Sequence, residues 1–348
     1  MTIRVSKSRL VRMWEANVED YVRIVASTRD DGSLIVGTAS GGVQVLDANS
    51  GAARASWSAH EPDLLALALH PMENWVATGG SDGRLRLWNL LGELLGEYET
   101  GSAWVEHVAW APSGSSVALA AGRRLSILNA KAELQAQSSL RTSTVSGLSW
   151  SVNPEELWSS EMGSIRRWNT ENLTELACFS SPGSLIGIAV QPSGRTVACP
   201  AQDRTVRYFR TANSHLGTLP ETNYRPCPLC WSPSGHCLAQ GGSEQVLLWD
   251  FDTSIPETNS DDRAPRATVL DFHLARVSAL DFASGFEFLA SGSVDGSLAV
   301  WELASGRRLA TGLTSAEITT LRWLSKGRIL CASTSSGVIV MSRLESPA

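Results

Sequence analysis

The sequence predicts an all-β chain built as one closed ring of eight four-stranded antiparallel units. Three observations predict it. A polar turn leading into an alternating strand, fullest in GGSDGRLRLWN at residues 79–89, recurs eight times at a period near 40 residues. Thirteen tryptophans and 29 glycines in 348 residues point to many strands and turns rather than long helices. Hydrophobic residues make up 43% and charged residues 18%, a balance that supports a real core.

With Trp88, near the end of that stretch, as a marker, the units follow in order. Unit one carries Leu46 in GGVQVLD, unit two Trp88, unit three Leu128 in RRLSILN and unit four Trp168 in GSIRRWN. Unit five carries Phe209 in RTVRYFR, unit six Trp249 in EQVLLWD, unit seven Trp301 in GSLAVWE and unit eight Met341 in GVIVMSR. The spacings from Leu46 onward are 42, 40, 40, 41, 40, 52 and 40. An earlier apolar strand opens each unit and ends on Trp110, Trp150, Trp231, Phe282 or Trp323 in units three, four, six, seven and eight. A turn such as APSG or SPSG leads to a second strand, then comes the polar turn, the marker strand, and an outer strand such as ARASWSAH. That makes four short strands per unit, punctuated by Gly, Pro, Ser and Asp.

The last unit has only seven residues after Met341, too few for an outer strand. The N-terminal SRLVRMWEAN aligns with ARASWSAH when Trp14 is placed on Trp57. The N-terminal strand is therefore expected to complete the last unit, which closes the ring and removes exposed sheet edges. The period, with SDGRLRLWN, SVDGSLAVWE and GGSEQVLLWD, resembles the WD-repeat (WD40-type) β-propeller family over roughly residues 9 to 346. The resemblance implies a single eight-bladed β-propeller domain spanning residues 1–348, where many relatives have seven blades. It specifies fold far more than function. Leu46, Leu128, Phe209 and Met341 replace tryptophan, so half the repeats depart from the family pattern.

Repeat two contains His60, Thr78, Asp82 and Trp88, and repeat seven contains His273, Ser291, Asp295 and Trp301, with equal spacings from hydroxyl to Asp to Trp. Hydroxyl, imidazole and carboxylate invite a hydrolase reading. The family resemblance implies instead a structural hydrogen-bond network inside each blade, in which Asp accepts from His, His meets the hydroxyl, and the hydroxyl meets the indole N–H. Two identical triads in one ring favour the structural reading. The other repeats lack the full set: repeat four has Trp158 and Met162 at the Thr78 and Asp82 spacings, and repeat five has Cys199 with Asp203. Those blades are expected to rest mainly on apolar packing.

Repeat six reads CPLCWSPSGHC and offers Cys227, Cys230, His236 and Cys237, all zinc-type ligands. Cys227 and Cys230, three apart on a predicted strand, point to opposite faces. Cys230 and Cys237 are placed to face each other across the hairpin. Buried structural cysteine is the expected reading, with Cys230, His236 and Cys237 as metal candidates; no cofactor is expected. IRRWN and RTVRYFR gather arginines around blades four and five, read as solvated strand faces. The 52-residue spacing places an inserted loop at 252–266 on the bottom rim, rich in Pro, Ser, Thr, Asn and Asp.

The net charge of -6 argues against nucleic-acid binding, which needs concentrated Lys and Arg. No apolar run approaches 18 residues, and MTIRVSKSRLVRMW lacks a signal-peptide core, so no membrane association is expected. Six cysteines in a chain of this size do not read as a disulfide framework. A cytoplasmic protein, monomeric outside its complex, is expected. The leading functional reading is a non-enzymatic scaffold that binds a protein or peptide partner on the top face of the ring. The alternatives are a metal-handling accessory protein using repeat six, and a ligand-binding propeller using its central channel. Aligning the repeats places Tyr21, Arg23, Asp63, Trp104, Glu106, Arg225, Arg276 and Glu317 on the top face. Trp104 stands out, because Trp110 is already the structural tryptophan of its repeat, and exposed tryptophan with Tyr and Arg has the makeup of an interface hot spot.

Overall fold

The computed structural model describes residues 8–101, 104–152, 155–251, 265–285, 287–324 and 327–345. Strands account for its regular structure, and no helix among the described residues is long and apolar enough to cross a membrane. Blade one runs Val22–Ser27, Ser33–Thr38, Gly42–Asp47 and Ala53–Ser58, each strand antiparallel to the next. The same order recurs over 64–99, 105–137, 145–184, 189–219, 229–271 and 277–313. The eighth blade takes Ile318–Trp323, Ile329–Thr334 and Val338–Glu345 from the C-terminal end and Arg9–Asn17 from the N-terminal end. The ring is an eight-bladed β-propeller closed by its first strand.

The turns follow from glycine. Gly83, Gly296 and Gly337 hold φ of 74°, 81° and 87° in the turn between second and third strands of blades two, seven and eight. A Cβ at Gly337 would also lie 2.9 Å from the Asp20 carbonyl oxygen. Blade four merges its second and third strands into one extended element, Glu155–Trp168. The Trp168 indole donates to Ser159 Oγ at 2.8 Å. Nine residues of straight strand would hold these groups about 30 Å apart, so the element doubles back, with Gly163 at φ 80°.

Apolar residues sit in eight clusters, one at each junction between neighbouring blades. The closing junction packs Ile339 and Met341 of the last blade on Val22, Leu34 and Leu46 of the first, with Met13 and Trp14 against them. Register corrects two details of the sequence alignment. Val76 pairs with Trp88 and Leu289 with Trp301, and the corresponding Leu330 pairs with Ser342. Ser342, not Met341, therefore holds the marker position, and strand alternation turns Met341 into the closing junction. Trp57 lies opposite Val43, three before its marker, whereas Trp14 lies opposite Met341, one before. A two-residue offset preserves the face. Both rings accordingly press on a turn glycine of the next blade, Trp14 on Gly51 and Trp57 on Gly92. Trp14 also donates to the Ala48 carbonyl at 2.9 Å.

Of the expected 252–266 insertion, residues 252–264 lie outside the described residues, and Arg266 already begins the outer strand Arg266–Asp271 of blade six.

Candidate functional site

In blade two the indole of Trp88 donates to Thr78 Oγ1 at 2.9 Å, and Thr78 Oγ1 lies 2.9 Å from His60 Nε2. The Asp82 carboxylate beside Nδ1 can only accept, which leaves Nε2 to take the threonine O–H and places the imidazole proton on Nδ1. That proton meets Asp82 Oδ1 at 2.9 Å. Arg86 grips Asp82 Oδ2 at 2.7 Å. Burial pushes the His60 pKa down against the pull of Asp82, so the ring stays neutral.

Blade seven differs. His273 Nε2 meets Ser291 Oγ at 2.7 Å, and Trp301 donates to the same oxygen at 2.8 Å. The expected bond from His273 to Asp295 is not made: Nδ1 meets Ser297 Oγ at 2.6 Å, while Asp295 accepts the backbone N–H groups of Ser297 and Leu274. The reason lies on the third strand, where Ala299 and Ser297 occupy the places of Arg86 and Arg84. Among the described residues no guanidinium holds the carboxylate toward the ring, and a short hydroxyl stands between them. Burial pushes His273 down to about 4. Thr78 and Ser291 are fully buried, so neither hydroxyl can meet a substrate.

Blade four corrects the sequence spacing. Leu148 pairs with Ser159 as Leu67 pairs with Thr78, so Ser159, not Trp158, holds the hydroxyl place. Arg141 stands where His60 stands, four residues before the first strand, and donates to Glu161 Oε1 at 3.0 Å. Arg166, at the Arg86 place, bonds the same oxygen and also Glu175. Glu161, only 2% exposed, does the work expected of a carboxylate at Met162. Burial pushes its pKa up, but Arg141, Arg166 and Ser164 outweigh burial and hold it below the ordinary range. Apolar packing alone does not hold blade six either, where Trp249 donates to Gln240 Oε1 at 2.8 Å. In blade five Cys199 sits buried at the hydroxyl place, and Arg207 bonds Asp203 at 2.5 Å.

The upper rim is the end of the ring that carries the Asp82 turn. Trp104 is 58% and Tyr21 43% exposed there. Arg23, Arg225 and Arg276 are exposed, and Asp63, Glu106 and Glu317 are half-buried. Arg276 approaches Glu317 of the next blade to 3.8 Å, and Asp63 accepts from Ser81 Oγ. Tyr21 and Arg23 lie in blade one and Trp104 and Glu106 in blade three, with blade two between them.

A site outside that reading opens at the opposite end. Where blades six, seven, eight and one meet at the lower mouth of the ring, a cavity of about 400 Å³ is lined by Cys230, Asp281, Arg322, Arg29, Asp31 and Trp323, among others. Asp281 Oδ2 accepts the Trp323 backbone N–H at 2.6 Å, and Oδ1 stands 3.8 Å from Arg322 Nη1. Burial raises the Asp281 carboxyl to about 6, against Arg322 and that N–H. The sequence carried a signal for it: the residue just before Trp231, Phe282 and Trp323 in each repeat.

The repeat-six cysteines do not converge. Cys227 precedes the strand Leu229–Trp231, and Cys230 pairs with Ala239 rather than facing Cys237. Cys237 instead lies past the next pair, where its N–H meets Ser232 Oγ. His236 lies in the turn just before Cys237, outside both strands. Burial raises the Cys227 and Cys237 thiols to about 11, and burial with Asp281 raises Cys230 well above its ordinary value, which disfavours the thiolate a metal needs. Among the described residues no group of three or more His, Cys, Asp or Glu is placed to hold a metal ion.

Comparison with known proteins agrees with this architecture. The family model "WD domain, G-beta repeat" matches residues 51–89 and 265–302. WD repeat-containing protein slp1 of Schizosaccharomyces pombe is 30% identical over 33% of this chain and 22% of its own length. Anaphase-promoting complex subunit cdc20 of Dictyostelium discoideum is 28% identical over 36% of this chain and 24% of its own. The chain thus spans about a quarter of the length of these relatives. Serine-threonine kinase receptor-associated protein of Gallus gallus is 23% identical over 48% of this chain and 45% of its own. The crystal structure of the computationally designed Ika8 protein superposes with a TM-score of 0.79 over 97% of this chain and 99% of that one, at 19% identity, a likeness of fold.

Proposed function

The chain is a WD-repeat β-propeller, and from that premise we propose a non-enzymatic protein-interaction scaffold that holds a protein or peptide partner on the upper rim of the ring. The observation that carries this reading is Trp104, 58% exposed on a rim whose blades are packed on both faces. A large aromatic held in the open on a rigid frame loses little freedom on binding and buries much area. The burial of Thr78 and Ser291 supports the non-enzymatic part, since it removes the two hydroxyls a hydrolase reading needs. Two of the relatives carry names of proteins that work in assemblies, a complex subunit and a receptor-associated protein.

The test is affinity capture from an extract of the source cells by the full chain and by Trp104→Ala, with captured proteins quantified. A specific partner should be recovered, and the variant should weaken its binding by about 2 kcal/mol, roughly thirtyfold, with an unchanged melting temperature. Equal recovery by both proteins, or a variant that mainly loses stability, rejects this placement of the partner.

A further inference from the structure

One register position of the propeller behaves differently on one side of the ring. It lies on the first strand, opposite the third residue of the second strand in blades one to three, Ile35, Ala77 and Ala118. Blades one to five carry Ala26, Ala68, Ala109, Ser149 and Ala189 there. Blades six, seven and eight carry Cys230, Asp281 and Arg322. Five small residues in succession give way to a thiol, a carboxylate and a guanidinium on three adjacent blades, and all three line the same lower cavity.

The junction between blades seven and eight departs from the ring in a second way. In blades four and six the tryptophan after this position donates to the preceding blade's backbone, Trp150 to the Ala109 carbonyl at 3.1 Å and Trp231 to the Ala189 carbonyl at 2.9 Å. The Trp323 indole, like that of Trp110 in blade three, has no such partner. Instead the Asp281 carboxylate turns across the junction onto the Trp323 backbone N–H.

Packing does not account for these residues, since alanine serves that purpose in the neighbouring blades. Electrostatics leaves them incomplete. Asp281 is largely buried yet accepts one hydrogen bond, while an ionised carboxylate has room for about four. Its nearest cation among the described residues, Arg322, stands at 3.8 Å, beyond hydrogen-bond reach. A buried carboxylate and a guanidinium that face one cavity without closing on each other leave space for a guest carrying both complementary charges. Arg29 adds a second guanidinium at the blade-one edge. The volume falls in the range of small-molecule sites.

We propose that the lower mouth binds a small zwitterion of the amino-acid class, its ammonium held by Asp281 and its carboxylate by Arg322 and Arg29. The site lies at the opposite end of the ring from the rim assigned to the protein partner, so either assignment stands if the other fails.

The test is titration calorimetry on the full chain with the free L-amino acids, then with the carboxamide and the N-acetyl derivative of the tightest binder. At least one amino acid should bind. Removing either ligand charge should weaken it about tenfold or more, and so should Asp281→Ala or Arg322→Ala. Alanine is the residue of four other blades at this position, so both variants retain the blade; circular dichroism and melting confirm it. Trp104→Ala should leave the affinity unchanged. Binding by no member of the panel overturns the proposal, as does a derivative that binds as well as its parent, or wild-type affinity in Asp281→Ala.

Discussion

The two His-containing blades look alike in sequence but should respond differently to loss of their aspartates. Asp82 takes the buried His60 N–H directly at 2.9 Å and is itself held by Arg86 and the Arg84 backbone. Asp82→Ala removes a charge-assisted bond and leaves a buried imidazole N–H facing an apolar methyl, a cost of about 2–3 kcal/mol. Asp295 accepts the Ser297 and Leu274 backbone N–H groups and hydrogen-bonds the Ser297 and Ser293 side chains, but takes no proton from a buried imidazole, so Asp295→Ala should cost less, about 1 kcal/mol. In blade seven the load falls on Ser297, whose hydroxyl is 2.6 Å from His273 Nδ1, so Ser297→Ala should cost more than Asp295→Ala. Urea unfolding of the three variants beside wild type would read these costs as midpoint shifts at constant m-value. If Asp295→Ala costs as much as Asp82→Ala, or Ser297→Ala is neutral, the hydrogen-bond assignment in blade seven is wrong.

Two further outcomes follow from the same geometry. His273 has a folded pKa of about 4, below its ordinary 6.5, so the stability it contributes is present above pH 6.5 and lost as pH falls from 6.5 to about 4, because the unfolded chain binds the proton first. Asp281 runs the other way, since its folded pKa of about 6 makes its ionised form costly above that pH and relieves the cost below it. Removing the opposing carboxylate in Asp281→Ala should therefore steepen the loss of stability between pH 6.5 and 4 by about 2–3 kcal/mol, and a melting profile parallel to wild type across that window would contradict it. Deleting residues 1–15 takes Met13 and Trp14 from the closing junction and most of the outer strand of blade eight. It should cost about 3 kcal/mol or more in one cooperative transition, and an unchanged melting temperature would contradict closure by this strand.

The fold was legible because its signal repeats. A turn, an alternating strand and an aromatic residue spaced near 40 reinforce one another eight times, so single departures such as Leu46 or Phe209 do not hide the ring. Local register was less legible. Counting back ten residues from Trp168 lands on Trp158, because the count cannot see that the turn at Gly163 is one residue shorter than the turn at Gly83. The same blindness put Met341 in the place of Ser342, where an apolar residue beside a polar one is the more tempting match. The lower cavity was missed for another reason. Its residues come from four different repeats, and reading along the chain separates Arg29 from Arg322 by nearly the whole sequence, while ring closure makes their blades neighbours.

With the register in hand, a single rule connects the varied blade interiors. Where the marker is tryptophan, the facing position on the second strand offers an acceptor: Thr78 for Trp88, Ser159 for Trp168, Gln240 for Trp249 and Ser291 for Trp301. Where the marker is Leu46, Leu128, Phe209 or Ser342, the same position is Val36, Leu119, Cys199 or Ala332. A buried indole N–H without an acceptor costs about 1–3 kcal/mol, and so does a buried hydroxyl or amide without a donor. The two positions therefore change together, polar with tryptophan and apolar or thiol without it. Beyond that pair the requirement ends, which is why the next layer varies freely: His60 with Asp82, His273 with Ser297, Arg141 with Glu161. In the four blades with a tryptophan marker, satisfaction of that indole is thus the common element, and the His–Asp pair is one of several ways to brace it.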